Sequence, residues 1–266
     1  MTVPPRWPGG TVTAVPVPGG DIIVETLGSG PPLLLLHGWT LDRRLWLPQA
    51  PLAAGCTLVA IDRRGFGQSS APPDLAAEPD DVLRVAAALG LARFHLLGMS
   101  QGGRVALALA ARDPDRLASL ILHGSALDGV AGADEAVPHA AMVAAARAGD
   151  TAALHALWAG HRLMRCTTDA GRAIVAAMLG DYTGRDLCVA ATALPVDATM
   201  VRKLPVTVLT GADDTQQRHA NAAALAAAGA RALTLPGGHL GNLDAPAAFN
   251  AAVRAALADQ ATATAG

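Results

Sequence analysis

The chain has 266 residues, a formal net charge of −2, 52% hydrophobic residues and 16% charged ones. That is enough apolar chain for one large packed domain, and it excludes a disordered polar polymer. Near-neutral charge, with no basic run carrying interleaved aromatics, argues against nucleic acid or an anionic membrane surface as partner.

Met1 to Gly10 is interrupted by Pro and Gly where a secretory segment needs an apolar stretch. Thr11–Val17 and Asp21–Leu27 read as two strands joined through Pro18-Gly19-Gly20, a hairpin-type turn. Leu33–Leu36 is a short, wholly apolar run of the kind a central buried strand shows, and it ends at His37-Gly38. A helical pattern follows at Leu45–Ala54, then a strand at Thr57–Ile61 ending on Asp62, then a helix at Pro79–Leu89. Phe94–Met99 predicts a strand and Gln101–Arg112 a helix, stopped by Asp113-Pro114. Leu117–Leu122 predicts another strand.

From about Ser125 to Lys203 no strand is predicted but several helices are, with Asp150 and Thr168 as N-caps of the second and third. The alternation resumes with strand Val206–Thr210, helix Gln217–Ala228, a weak strand at Ala232–Leu235 and helix Ala245–Leu257. Residues 259–266 are expected to fray. Strands alternating with helices predict a mostly parallel eight-stranded sheet with helices on both faces. Residues 1–124 and 204–266 are assigned to this core, and 125–203 to a helical cap over the sheet's carboxyl edge, where open α/β folds bind ligands.

Three cysteines, Cys56, Cys166 and Cys188, have no metal-like spacing, and their odd number fits a reduced cytoplasmic setting better than a disulfide framework. No metal site is predicted. No run of about 18 apolar residues marks a membrane span. The expected protein is soluble and cytoplasmic.

Gly98-Met99-Ser100-Gln101-Gly102 falls at a predicted strand-to-helix junction, which is the context that turns a bare G-x-S-x-G into a nucleophile elbow. A serine at its ordinary pKa needs a base, and the base needs a group to fix its tautomer. Of eight histidines, His239 is the best placed, in Pro236-Gly237-Gly238-His239 between the last strand and the last helix. His37 reads as structural, and His95, His123 and His219 as packed or exposed. Of His139, His155 and His161 in the cap, His161 is the candidate to face a pocket. Asp214 in Gly211-Ala212-Asp213-Asp214 is the first choice of acid, with Asp213 its neighbour and Asp128 a weaker third. Backbone N–H groups of Trp39 and Gln101 are the candidate oxyanion donors. Met99, Trp158, Leu163, Met164 and Leu240 are candidates to line an apolar substrate pocket. Arg147, Arg162, Arg165 and Arg172 of the cap are candidates for a substrate carboxylate, against the default of a solvated face.

Together these motifs resemble the α/β-hydrolase fold superfamily over residues 20 to 257. His37-Gly38-Trp39 resembles its HG-x motif. Asp62-Arg63-Arg64-Gly65-Phe66-Gly67-Gln68-Ser69 resembles D-x-R-G-x-G-x-S, and Gly98–Gly103 resembles G-x-S-x-G-G. Gly211–Asp214 resembles the acid turn. Gly238-His239-Leu240 with Asn242-Leu243 resembles G-H-x-x-N-L-E-x-P, with Asp244 replacing the Glu. The resemblance implies a cofactor-free hydrolase on a small-molecule ester or lactone, similar to small carboxylesterases and 3-oxoadipate enol-lactonases. Carbon–carbon bond hydrolases share the pattern, as do SHCHC synthases, which Ser100-x-Gly102-Gly103-Arg104 also resembles. Some members act as ligand receptors instead. Dehalogenases and epoxide hydrolases of this fold carry Asp at the elbow, and Ser100 argues against both.

Overall fold

The computed structural model describes residues 6–132, 136–201 and 204–263, the side chains of 259–263 excepted. Eight strands form one sheet in the order β1-β2-β4-β3-β5-β6-β7-β8. They are β1 (Thr11–Val17), β2 (Gly20–Leu27), β3 (Pro32–Leu36), β4 (Thr57–Ile61), β5 (Phe94–Met99), β6 (Leu117–His123), β7 (Val206–Gly211) and β8 (Arg231–Leu235). β2 runs antiparallel to both β1 and β4, and every other pairing is parallel.

Successive side chains of a strand point to opposite faces, so a wholly apolar strand must be covered on both. β3 shows this directly. Leu33 and Leu35 enter one core cluster with Trp46, Phe249 and Val253, while Leu34 and Leu36 enter another with Val82, Val85, Val105 and Leu225. The second face is covered by α1 (Glu78–Ala88), α2 (Gln101–Arg112) and α6 (Gln216–Ala227). The first carries the last helix, and the cap contributes to both, with Met142 and Trp158 in the first cluster and Val196 and Val201 in the second.

Between β6 and β7 the only regular elements among the described residues are helices: α3 (His139–Ala148), α4 (Thr151–Ala159), α5 (Asp169–Asp181) and single 3₁₀ turns. Asp150 and Thr168 cap α4 and α5, their side chains accepting from the N–H groups of Ala153 and Gly171. Met142, Trp158 and Met178 of this cap join the first core cluster, and α5 packs against residues 43–54, so the cap shares the core of the main domain.

Three details differ from these expectations. Leu45–Ala54 is a 3₁₀ segment over Arg43–Ala54, because Pro48 and Pro51 remove the N–H donors an α-helix needs there. The helix predicted at Ala245–Leu257 is α8 (Pro246–Ala263), its proline at the first position, and a short helix with no sequence counterpart, α7 (Gly241–Asp244), precedes it. α8 continues through the Ala-rich stretch to Ala263, into the tail expected to fray. Residues 264–266 of that tail lie outside the described residues, as does Lys203, the expected last residue of the cap. Among the described residues no helix is long and apolar enough to cross a membrane.

Candidate active site

Ser100 sits between β5 and α2 with φ 52° and ψ −114°, a positive φ shared among non-glycine residues described only with Thr40. Such backbone strain persists only where the surroundings impose it. A Cβ on Gly98 would lie 2.4 Å from the Gly102 carbonyl oxygen, and one on Gly102 2.4 Å from that of His37. Both neighbours are backbone and cannot give way. Gly102→Ala is therefore expected to destabilise the fold by about 1–3 kcal/mol or more, measured by urea denaturation. The Ser100 N–H donates to the His123 carbonyl at 2.8 Å, tying the elbow to β6.

His239 follows β8 and is 3% exposed; its Nδ1 lies 3.0 Å from Asp214 Oδ2 and 3.2 Å from Oδ1. Asp214 follows β7 and is buried. Burial pushes its pKa up, but the charge of His239, its hydrogen bond and the Thr215 N–H outweigh this and hold the carboxyl below its usual range. The neighbouring carboxylates are placed elsewhere. Asp213 is exposed, and Thr215 rather than either aspartate caps α6. Asp128 is held by Arg104 through two hydrogen bonds of 2.7 and 2.8 Å. Its pKa is lowered, first by that hydrogen bonding.

A second histidine, His123, lies beside this pair at the end of β6, its Nδ1 3.3 Å from the Leu209 carbonyl. Burial, then the nearby His239, push its pKa down to about 4. The unfolded chain takes up that proton from about pH 6.5 downward, the folded one only near 4. Stability should therefore fall as the pH drops across that window, by on the order of 3 kcal/mol from this group. Denaturant titrations at pH 7 and 4.5 should show His123→Phe losing less stability than the wild type.

The loop after β3 completes the floor of the site. His37 is buried and neutral: burial, then the charge of Arg63, hold its pKa well below the usual value. Its Nδ1 donates to the Gly38 carbonyl at 2.7 Å, leaving Nε2 to accept from the Arg63 N–H at 3.0 Å. Arg63 also donates to the His37 carbonyl, to both Glu78 oxygens and to Gln101 Oε1. One arginine thus fastens the Trp39 loop, α1 and the start of α2 together. The backbone N–H groups of Trp39 and Gln101 are used in no hydrogen bond to the described residues.

Ser100, His239, Trp39, Gln101, Met99, Trp158, Leu163 and Met164 line one cavity of about 190 Å³, joined by Arg104 and Arg218. Ser100 and His239 share it without a hydrogen bond between hydroxyl and ring. Such contacts are often long before substrate binds. Leu240 does not line it. As the residue before α7, it is fully buried in the first core cluster. His161 lines neither this cavity nor the adjoining one, and stacks on Trp158 at 4.5 Å between centroids. Arg147, Arg162, Arg165 and Arg172 are exposed and line neither cavity.

A larger cavity of about 340 Å³ adjoins the first, sharing Trp39, Gln101 and Val137 with it. No motif in the sequence marks this cavity. Trp39 forms the wall between them, its Nε1 donating to Asp186 of the cap at 2.6 Å, while Tyr182 Oη donates to the other Asp186 oxygen at 2.8 Å. Trp158 packs edge-on against Trp39 and donates to Thr40 Oγ1 at 2.7 Å. The positive φ of Thr40 carries no sequence signal, and neither does the pairing of residue 39 with residue 186.

A family model described as the alpha/beta hydrolase fold matches residues 31–232, and the chain belongs to that family. It is similar to a fluoroacetate dehalogenase from a Burkholderia species, 41% identical over 112 residues. It is also similar to a pimeloyl-[acyl-carrier protein] methyl ester esterase from Aeromonas hydrophila, 38% identical over 102 residues. Each match covers 38% of this chain, and 37% and 40% of those two relatives, so the alignments span well under half of either. The crystal structure of an enol-lactonase from Burkholderia xenovorans LB400 superimposes with a TM-score of 0.74 at 26% identity, covering 93% of this chain and 100% of that one.

Proposed function

We propose that the protein is a serine hydrolase that cleaves a carboxylic ester or lactone through an acyl-enzyme. The observation that carries this reading is a strained serine at a strand-to-helix elbow, sharing a small apolar cavity with a histidine whose far nitrogen meets a buried aspartate. The relatives named as an esterase and an enol-lactonase fit it. Ser100, in place of the aspartate of dehalogenases of this fold, separates the chain from the relative named for that activity.

In this reading Ser100 Oγ bonds to the carbonyl carbon while His239 Nε2 takes the hydroxyl proton. The carbonyl π pair moves onto oxygen, where the N–H groups of Trp39 and Gln101 receive it at the positive end of α2. The pair returns, the bond to the alcohol oxygen breaks, and His239 delivers its proton there. Water then repeats the sequence on the acyl-enzyme, releasing the acid and restoring Ser100. Asp214 keeps the imidazole in the tautomer with its proton on Nδ1 throughout.

The test is a panel of short esters and lactones run beside labelling with a fluorophosphonate. Turnover together with one label per chain is expected. Labelling without turnover on any ester or lactone would favour a ligand receptor instead.

A further inference from the structure

We propose that the two cavities divide an ester about its carbonyl: a small alcohol arm lies in the inner one and a longer apolar acyl arm in the outer one. This rests on the serine-hydrolase reading and adds which side of the scissile bond each cavity takes.

The geometry leaves little choice once the oxyanion is placed. Trp39 and Gln101 are the proposed donors, and both line both cavities. A carbonyl oxygen held by their N–H groups sits where the cavities meet, with Ser100 approaching the carbon from the inner side. The two remaining substituents of that carbon diverge, so one enters each cavity. His239 decides the direction, because it lines the inner cavity and not the outer. Its ring must reach the departing oxygen to protonate it, so the alcohol arm lies on the His239 side. The acyl arm takes what remains.

The sizes and surfaces agree with that assignment. The inner cavity holds about 190 Å³ and the outer about 340 Å³. Phe66, Leu75, Leu187 and Val189 give the outer one apolar walls. The ionic groups at its edge already have protein partners. Arg64 donates twice to Asp81, Glu78 accepts from Arg63, and Asp186 accepts from Trp39 and Tyr182. Apolar walls between satisfied charges suit an alkyl or aryl group and leave an acyl arm bearing its own charge unmatched.

Ethyl octanoate and octyl acetate contain the same atoms and differ only in which side of the carbonyl carries the long chain. The wild-type protein should turn over ethyl octanoate with a kcat/KM higher by about tenfold or more. Ala190→Trp, at the exposed rim of the outer cavity, should shrink that ratio several-fold. Equal rates, faster cleavage of octyl acetate, or an unchanged ratio in A190W would overturn the assignment while leaving the hydrolase reading in place. If neither ester is cleaved and the fluorophosphonate leaves Ser100 unlabelled, the hydrolase reading falls and this assignment with it.

Discussion

Replacing Ser100 with Ala should lower kcat on any good ester by about 10⁴–10⁶-fold and abolish labelling by a fluorophosphonate. The size of the effect follows from the covalent step, because no other hydroxyl lining the inner cavity stands beside His239. The fold should survive. The Ser100 hydroxyl makes no hydrogen bond among the described residues, and the N–H that ties the elbow to β6 stays in place. An unchanged thermal midpoint with lost turnover is therefore the expected pair of readings. Residual turnover above about one part in a thousand of wild type would point to a different nucleophile.

Asp214→Asn should cost nearly as much, about 10⁴-fold in kcat. The amide still fills the space but offers an N–H toward the ring, which favours the tautomer whose proton sits on the wrong nitrogen. Asp213→Asn, one residue away and exposed, should leave kcat within about twofold, since surface substitutions rarely matter. The contrast separates two carboxylates that are neighbours in sequence. The pH dependence has a defined sign. Asp214 is held below its usual pKa by His239 and the Thr215 N–H against the effect of burial. The stability its pairing supplies is present above the ordinary carboxylate pKa and is lost as the pH falls through the lower, folded-state value.

Much of this architecture is legible in the residues, for physical reasons. Leu33–Leu36, Thr57–Ile61 and Phe94–Met99 are too short and too apolar to be anything but strands covered on both faces. The glycines at 98 and 102 fix a turn that other residues cannot enter. Position along the chain brings Asp213 and Asp214 to the end of β7 together, and burial and the contact with His239 separate them. Leu240 resembles a pocket residue because it follows His239, yet α7 turns it into the core. The cap's arginines carry charge in abundance, but it does not reach the cavities: Arg162 donates to the carbonyls of Asp213 and Asp214, and Arg172 to those of Cys166 and Thr167.

The features that escaped prediction are those made by distant pairs. The Trp39–Asp186 contact joins residues 147 apart, and the Arg104–Asp128 pair joins α2 to the loop after β6. Arg63 is the strongest case. It reads as one member of a charged loop, but in the fold it fastens His37, Glu78 and Gln101, and so positions both proposed oxyanion donors. Sequence periodicity reports which face a residue shares, and it is silent on what meets that face from another element.

The most direct test of the central claim is a crystal structure of the protein after reaction with a short alkyl phosphonate. The phosphorus should be bonded to Ser100 Oγ, one phosphonyl oxygen should accept from the Trp39 and Gln101 N–H groups, and His239 Nε2 should lie about 2.6–3.2 Å from Oγ or the departing position. An adduct on another residue, or an imidazole that stays out of reach with the phosphonyl oxygen facing away from both N–H groups, would contradict it.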